Sequence, residues 1–283
     1  MDDGILSIQS AVAYGHVGNS AAVFPLQRLG FEVWPVNTVL FSNHTGYGAW
    51  RGRIVDLPWI EEIIQGIRER GVIPRVRAVL SGYLGDATLG EVVLRTVTEV
   101  RQQRPEALYA CDPVMGDEGR GFFVRPGIPE FFKARAVPAA DLITPNQFEL
   151  AYLADRPINS MDDALAAAAR VRATGPRIVA CTSLTFGPED QLGILADSAD
   201  GSWVCWTPKL PVNLNGTGDA FTALFLGHWL LSGHLDRTLE RAVAGMYALV
   251  EATHERRSRE LALVAAQDQL VSPKRHFPAE RVR

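Results

Sequence analysis

Two glycines flank a threonine in NLNGTGDAF, residues 213–221, and an acid follows at once, before the apolar run AFTALFLGHWLL begins. Glycines so placed mark backbone that turns tightly or lets a ligand come close. A helix starting just after them points its free N–H groups and positive dipole end back at the turn, which favours an anion. A carboxylate there needs a reason. An isolated GxGD reads most simply as a helix start with Asp219 as its cap or first-turn acid, yet a plain cap needs no pair of glycines. A Rossmann fingerprint fails because Phe221 stands where its third glycine belongs, and no GxxxxGK[ST] run occurs. What remains is an anion hole formed by Gly216, Thr217 and Gly218 beside a carboxylate, an arrangement suited to phosphoryl transfer. In such a site N–H groups stabilise the transferring phosphoryl while Asp219 takes a proton from the attacking hydroxyl.

Three further stretches carry chemistry-bearing residues. In TPNQFE, residues 144–149, Thr144, Pro145 and Gln147 predict a capping box with proline at the first helical position. Asn146 and Glu149, three apart, share one face of the first turns, and an amide with a carboxylate suits magnesium held through waters; NxxE alone fits a purely structural role at least as well. In CDPVMGDEGRGFFV, residues 111–124, Asp112 ends a strand and Pro113 stops the chain from continuing into a helix. Gly116, Gly119 and Gly121 then suit either a mobile flap over a ligand or an ordinary surface loop. In LFSNHTGYGAW, residues 40–50, a turn explains the glycines but not Asn43, His44 and Thr45 together; polar atoms there could read the edge of a flat ring, with Tyr47 or Trp50 on its face.

The elements that must position these groups alternate in type. Strands are expected at 4–10, 31–38, 77–81, 107–112, 141–144 and 177–182, with helices at 17–29, 59–70, 87–103, 146–155 and 161–174. That alternation implies an α/β three-layer fold, a mostly parallel central sheet with helices on both faces. Strands at 191–197 and 202–206 read as a hairpin, followed by the GTGD turn and helices at about 219–231, 236–253 and 256–269. Ser10, Ser81, Asp112, Thr144 and Thr182 close successive strands, so hydroxyls and a carboxylate converge on the sheet edge where ligands bind.

Bulk composition points to small molecules as partners. With 283 residues and 47% hydrophobic side chains the chain can bury one large core, and residues 1–283 are read as a single domain. Lys plus Arg is 28 against 32 Asp plus Glu, so a net charge of -4 offers no bulk attraction to nucleic acid or anionic membrane. No targeting segment is visible and no apolar run is long enough to span a bilayer, giving an expectation of a soluble, cytoplasmic protein. Cys111, Cys181 and Cys205 form no CxxC and are expected to be buried thiols; the histidines show no metal spacing.

Taken in order, IQSAVAYGHVGNSAA, VWPVNTVLFSNHTGYGAW, VLSGYLG, CDPVMGD, ITPNQFEL and NGTGDAF resemble the ribokinase superfamily, and more closely its bacterial-type pyridoxal kinases, over nearly the whole chain. The resemblance implies an ATP-dependent transfer to the 5′-hydroxymethyl group of pyridoxal in vitamin B6 salvage, giving pyridoxal 5′-phosphate. It implies Asp219 as the catalytic base and Gly216, Thr217 and Gly218 as the anion hole. Ser10, Thr45, Gly46 and Tyr83 would surround the pyridine ring. Asp112, Thr144, Glu149 and Thr182 would face ATP and magnesium, with Asp112, Asn146 and Glu149 on the metal side, and Thr207, Pro208, Lys209 and Leu210 would lie along the nucleotide. It further implies a homodimer that requires Mg2+ and often a monovalent cation such as K+. Three departures stand out: Gly46 replaces a larger polar residue, the segment from Lys209 to Gly216 is short, and Phe122 stands where some relatives have a lid cysteine. The rival readings are a hydroxymethylpyrimidine kinase of the same fold, separable only at the ring contacts, and a non-catalytic carrier of a B6 vitamer.

Overall fold

The computed structural model describes residues 3–283. Its first strand, β1 (Gly4–Val12), is buried along nearly its whole length, as GILSIQSAV requires of a strand covered on both faces. Helix α1 (Asn19–Arg28) leads to β2 (Glu32–Phe41), a 3-10 turn at Thr45–Tyr47 and the short β3 (Gly52–Ile54), which pairs antiparallel with β2. Helix α2 (Leu57–Glu69), β4 (Val76–Ser81), α3 (Ala87–Gln103) and β5 (Leu108–Cys111) follow. Asp86 caps α3 by accepting the Thr88 N–H, which fixes where that helix begins. A small hairpin of β6 (Gly116–Asp117) and β7 (Gly121–Phe122) comes next, then a helical stretch with α4 (Ile128–Phe131), a π-helical turn at Phe132–Ala136 and α5 (Val137–Ala139). Strand β8 (Leu142–Ile143), α6 (Gln147–Ala154), α7 (Met161–Arg172), β9 (Ile178–Leu184), β10 (Gln191–Ser198) and β11 (Gly201–Pro208) complete the central region. The C-terminal part contains α8 (Thr217–Ser232), α9 (Leu235–Glu255), α10 (Gln267–Val271) and β12 (Glu280–Arg281).

Among the described residues ten strands form one sheet in the order β12-β11-β10-β9-β8-β5-β4-β1-β2-β3. Its centre is parallel, from β2 through β1, β4, β5 and β8 to β9. Both margins are antiparallel, with β10 and β11 forming the expected hairpin. One apolar layer joins α2, α3, α6 and α7 to one face, and a second joins α1, α8, α9 and α10 to the other. Helix α8 is buried from Ala220 to His228 because it lies between the sheet layer and α1 and α9, so an apolar surface all round is what its position demands. Burial of Phe221, Leu224, Phe225 and Leu226 contributes roughly 2 kcal/mol each. Cys111, Cys181 and Cys205 are free and buried, as the sequence suggests.

The helix expected at 256–269 does not form over most of that range. Arg256 ends α9, Arg257 turns into left-handed backbone at φ 51, and regular helix resumes only at Gln267. Ser258 instead builds a local turn, its hydroxyl donating to the Glu260 carbonyl at 2.7 Å and accepting the Glu260 N–H at 3.0 Å. Among the described residues no helix is long and apolar enough to cross a membrane.

Candidate active site

Strand order reverses around β1, which has β2 on one side and β4 on the other, so a crevice opens at the carboxyl ends of these strands. Ser10 lies where the β1–β2 register breaks between Gln9 and Ala11. A bulge there re-aims a side chain, a common device beside active sites. The chain then turns at Gly18, whose φ of 55 and contact with Ser10 exclude any side chain, because a Cβ would overlap the Ser10 carbonyl and hydroxyl. The Gly18 N–H faces the Asp219 carboxylate and favours its charged form. On the other side of the crevice Gly82, next to Tyr83, comes within 3.6 Å of Asp219 Oδ1, measured from the position of a Cβ built on the glycine. Ser10 and Tyr83 therefore flank Asp219, one through each glycine. Tyr83 is half-buried, and desolvation raises its phenol above the ordinary value while Arg125 opposes the shift.

Helix α8 opens on Gly216 in left-handed backbone at φ 84, with no side chain capping its free N–H groups. Asp219 is thus the first-turn acid of α8 and not its cap, so the helix-start reading accounts for its place but not for the glycines on either side of Thr217. A Cβ at Gly216 would overlap the carbonyl of His16, so the anion-hole turn and the loop after β1 are packed backbone to backbone. Asp219 Oδ1 is buried without a partner, and so is Asp112 Oδ2. Gly218 separates the two acids, since a Cβ placed on it would lie 3.4 Å from Asp112 Oδ2. Burial raises Asp219 despite the opposing Gly18 hydrogen bond. Burial, then the charges of Asp219 and Glu149, hold Asp112 far above the usual carboxylate range, against a hydrogen bond with Thr222.

The expected capping box of Thr144 and Gln147 is displaced by two residues. Asn146 caps α6 by accepting the Glu149 N–H at 2.9 Å, and Glu149 Oε2 accepts the Asn146 N–H at 2.9 Å. Both members of the NxxE pair thus have a structural role. Thr144 instead joins its hydroxyl to that of Thr222 at 2.7 Å, tying the end of β8 to α8. Glu149 Oε1 also accepts the Met115 N–H at 2.8 Å, and Asn146 Nδ2 donates to the Gly116 carbonyl at 2.9 Å, so the pair anchors the base of the β6–β7 hairpin. Burial pushes Glu149 up to about 7, with these backbone N–H donors pulling the other way. Phe122 packs edge-on against Phe148 and Tyr152, which holds the hairpin tip to α6. Of the three expected metal-side residues, Asp112 alone has a buried oxygen without a hydrogen-bond partner.

On the far side of the GTGD turn a cavity of about 280 Å³ is lined by Thr182, Thr207, Pro208, Leu210, Thr217 and Gly218. Val243, Met246, Tyr247 and Val250 of α9 form its apolar wall, a suitable surface for a flat ring. Lys209 is exposed, its N–H donates to the Asp190 carbonyl at 2.7 Å, and it does not line this cavity. The α9 wall was not foreseen, because its apolar stripe has the spacing of any core-facing helix.

The 3-10 turn Thr45–Tyr47 carries the residues expected beside the ring. A Cβ at Gly46 would lie 2.9 Å from both Asn215 Nδ2 and His44 Nδ1, so these groups occupy the space of a larger residue and leave Gly46 only backbone atoms to offer. His44 is buried, Trp50 packs against Phe41, and Tyr47 turns its hydroxyl toward Glu260. Glu260 carries no sequence signal, because the charge-rich run HERRSRE has the character of a solvated surface. Gly18 had a signal, in the YGHVGN motif.

Comparison with known proteins agrees with this geometry. The family model for phosphomethylpyrimidine kinase matches residues 47–260. A pyridoxal kinase from Rubrobacter xylanophilus is 58% identical over 281 residues, covering 98% of this chain and 97% of the relative. One from Deinococcus radiodurans is 52% identical, covering 98% and 96%. The structure of pyridoxal kinase from Leishmania donovani in complex with ADP and pyridoxamine superposes with a TM-score of 0.93 at 32% identity, covering 100% of both chains. A putative phosphomethylpyrimidine kinase from Bacteroides thetaiotaomicron superposes with a TM-score of 0.90 at 25% identity, over 99% of this chain and 98% of that one. By sequence over its full length, and by fold, this chain belongs to the pyridoxal kinases of the ribokinase-like superfamily.

Proposed function

We propose that the chain transfers the γ-phosphoryl group of ATP to the 5′-hydroxymethyl oxygen of pyridoxal. One observation carries the reading: part-buried Asp219, its Oδ1 buried and unpartnered, stands between the Ser10–Tyr83 side and the cavity behind Gly216–Gly218. A vitamer in the crevice presents its hydroxyl to Asp219, and a nucleotide in the cavity presents its terminal phosphoryl to the first-turn N–H groups of α8. Asp219 takes the hydroxyl proton as the new O–P bond forms; the bond from the γ-phosphorus to the β,γ-bridging oxygen breaks, and ADP leaves. Burial makes Asp219 a stronger base than an exposed carboxylate. The glycine N–H groups stabilise charge on the passing phosphoryl.

Magnesium fits this site through Asp112. That residue's buried, unpartnered oxygen, and the neighbouring acids that disfavour its charge, constitute an unmet need for a cation. Asn146 and Glu149 spend their polar atoms on the α6 cap and the hairpin, and would support the ion through water and charge. Among the described residues no cluster of three or more His, Cys, Asp or Glu forms a protein cage, which accords with an ion completing its shell from phosphates and water. When bound, it would neutralise phosphate charge. Exposed Leu40, Trp50 and Trp59, which flank the edge strand β3 in sequence, support a homodimer; light scattering that gave the mass of one chain would overturn it.

The test is formation of pyridoxal 5′-phosphate from pyridoxal, ATP and magnesium with hydroxymethylpyrimidine competing in the same assay. Preferential phosphorylation of pyridoxal is expected. Turnover of the pyrimidine alone would keep the mechanism and replace the substrate, and turnover of neither would leave a vitamer carrier.

A further inference from the structure

Glu260 lies outside the site motifs of the sequence, yet its carboxylate ties together the two segments that flank the proposed ring site. Oε1 accepts the Tyr47 hydroxyl at 2.7 Å and faces His44 Nε2 at 3.0 Å; Oε2 accepts the His16 N–H at 3.0 Å. Its side chain is 13% exposed and that of His44 8%. Gly15 belongs to the same construction, since at φ 95 it approaches so closely that a Cβ would overlap the Glu260 carboxylate. The carboxylate is itself firmly held, because Leu261 is buried beside it and the Ser258 turn fixes its backbone. From His16 the connection continues in two directions. The His16 carbonyl packs against Gly216 of the anion hole, and two residues on, the Gly18 N–H reaches Asp219.

We infer that Glu260 is a positioning residue for the vitamer: it locks the 44–47 turn onto the 15–18 loop and so fixes the ring wall relative to Asp219. The inference rests on the ring-site reading of Ser10 and Thr45. The hydrogen bonds of Glu260 itself run to His16, His44 and Tyr47, none of which lines the nucleotide cavity, so its loss should fall first on vitamer binding.

The test is Glu260→Gln, which retains the size but must set an amide N–H2 against at least one existing donor. Its KM for pyridoxal should rise about tenfold while its KM for ATP stays within about twofold of the parent. Tyr47 supplies a second readout. Its phenol, raised to about 12 chiefly by the Glu260 hydrogen bond, also faces the Arg259 guanidinium at 4.4 Å, the His44 ring at 4.6 Å and Tyr14 at 6.1 Å. In the variant, ultraviolet titration should show one tyrosine moving back toward about 10. Tyr47→Phe removes a single bond, should raise the pyridoxal KM by less, and serves if Glu260→Gln does not fold. Ser10→Ala is run alongside. If Ser10→Ala raises the pyridoxal KM and neither Glu260→Gln nor Tyr47→Phe does, the positioning role is overturned. If Ser10→Ala has no effect either, the ring-site reading fails with it. A parallel rise in both KM values for Glu260→Gln would also overturn the role, marking Glu260 as a general structural support.

Discussion

Asp219 and Asp112 are held among neighbours that favour their protons, an arrangement a stable core would avoid and a cation- and phosphate-binding site can use. Asp219→Asn keeps the shape and the Gly18 contact but removes the base; turnover should fall about 10²-fold or more with nucleotide affinity largely intact. Steady-state assays with nucleotide titration check this, and near-normal turnover would remove Asp219 from the mechanism. Asp112 yields a prediction about stability. Its pKa is raised on folding from 3.8, that of Glu149 from 4.5 to about 7, and that of Asp219 also upward. A carboxyl raised by folding favours the folded state fully below its unfolded pKa, and the benefit is lost as pH rises toward the folded value. The ligand-free protein should therefore lose stability across this site as pH rises from about 4.5 to about 7, the interval that Glu149 spans. Asp112→Asn removes one of the three charges and relieves the other two. Its melting temperature should drop less over that interval than the parent's, and equal drops would show that the acids are solvated in solution.

At the scale of elements, the site depends on where α8 starts. Gly216 combines left-handed backbone with direct contact to the His16 carbonyl, and Gly216→Ala must distort both. A cost of roughly 2 kcal/mol in stability is expected, together with a loss of turnover larger than the loss of ATP affinity. Thermal melts and kinetics on one preparation measure the two effects; an unchanged turnover would show that the turn does not hold the anion hole. The same scale shows what could be read from sequence. Helix α3, strand β10 and the β10–β11 hairpin follow from periodicity and turn residues, and GTGD announces its own helix start. The α6 cap is ambiguous in sequence because Thr144 and Asn146 are both good caps, and only the tertiary bond from Thr144 to Thr222 decides between them. The helix expected from 256 onward failed at Arg257, whose left-handed φ no propensity scale anticipates for arginine. Glu260 acquires its meaning from residues more than two hundred positions away, and no local pattern encodes that.

In the whole molecule, the parallel centre of the sheet and its strand-order reversal at β1 bring the 15–18 loop, the 44–47 turn, the end of β4 and the start of α8 to one edge. The proposed ring site lies on the Gly18 and Gly82 side of Asp219 and the cavity proposed for the nucleotide lies behind Gly218. Because both sites exist only in the folded chain, each ligand should stabilise it by mass action. At about 100 times its dissociation constant a ligand contributes roughly 2.7 kcal/mol, which for a chain of this length corresponds to a melting shift of roughly 5 °C. Pyridoxal alone and Mg·ADP alone should each produce such a shift. Asp219→Asn separates binding from chemistry here, since it removes the proton acceptor and leaves both walls standing. The variant should keep both shifts while losing turnover. If it lost the pyridoxal shift along with turnover, Asp219 would be a substrate-binding group first, and the assignment of the base would have to move to another residue of the crevice.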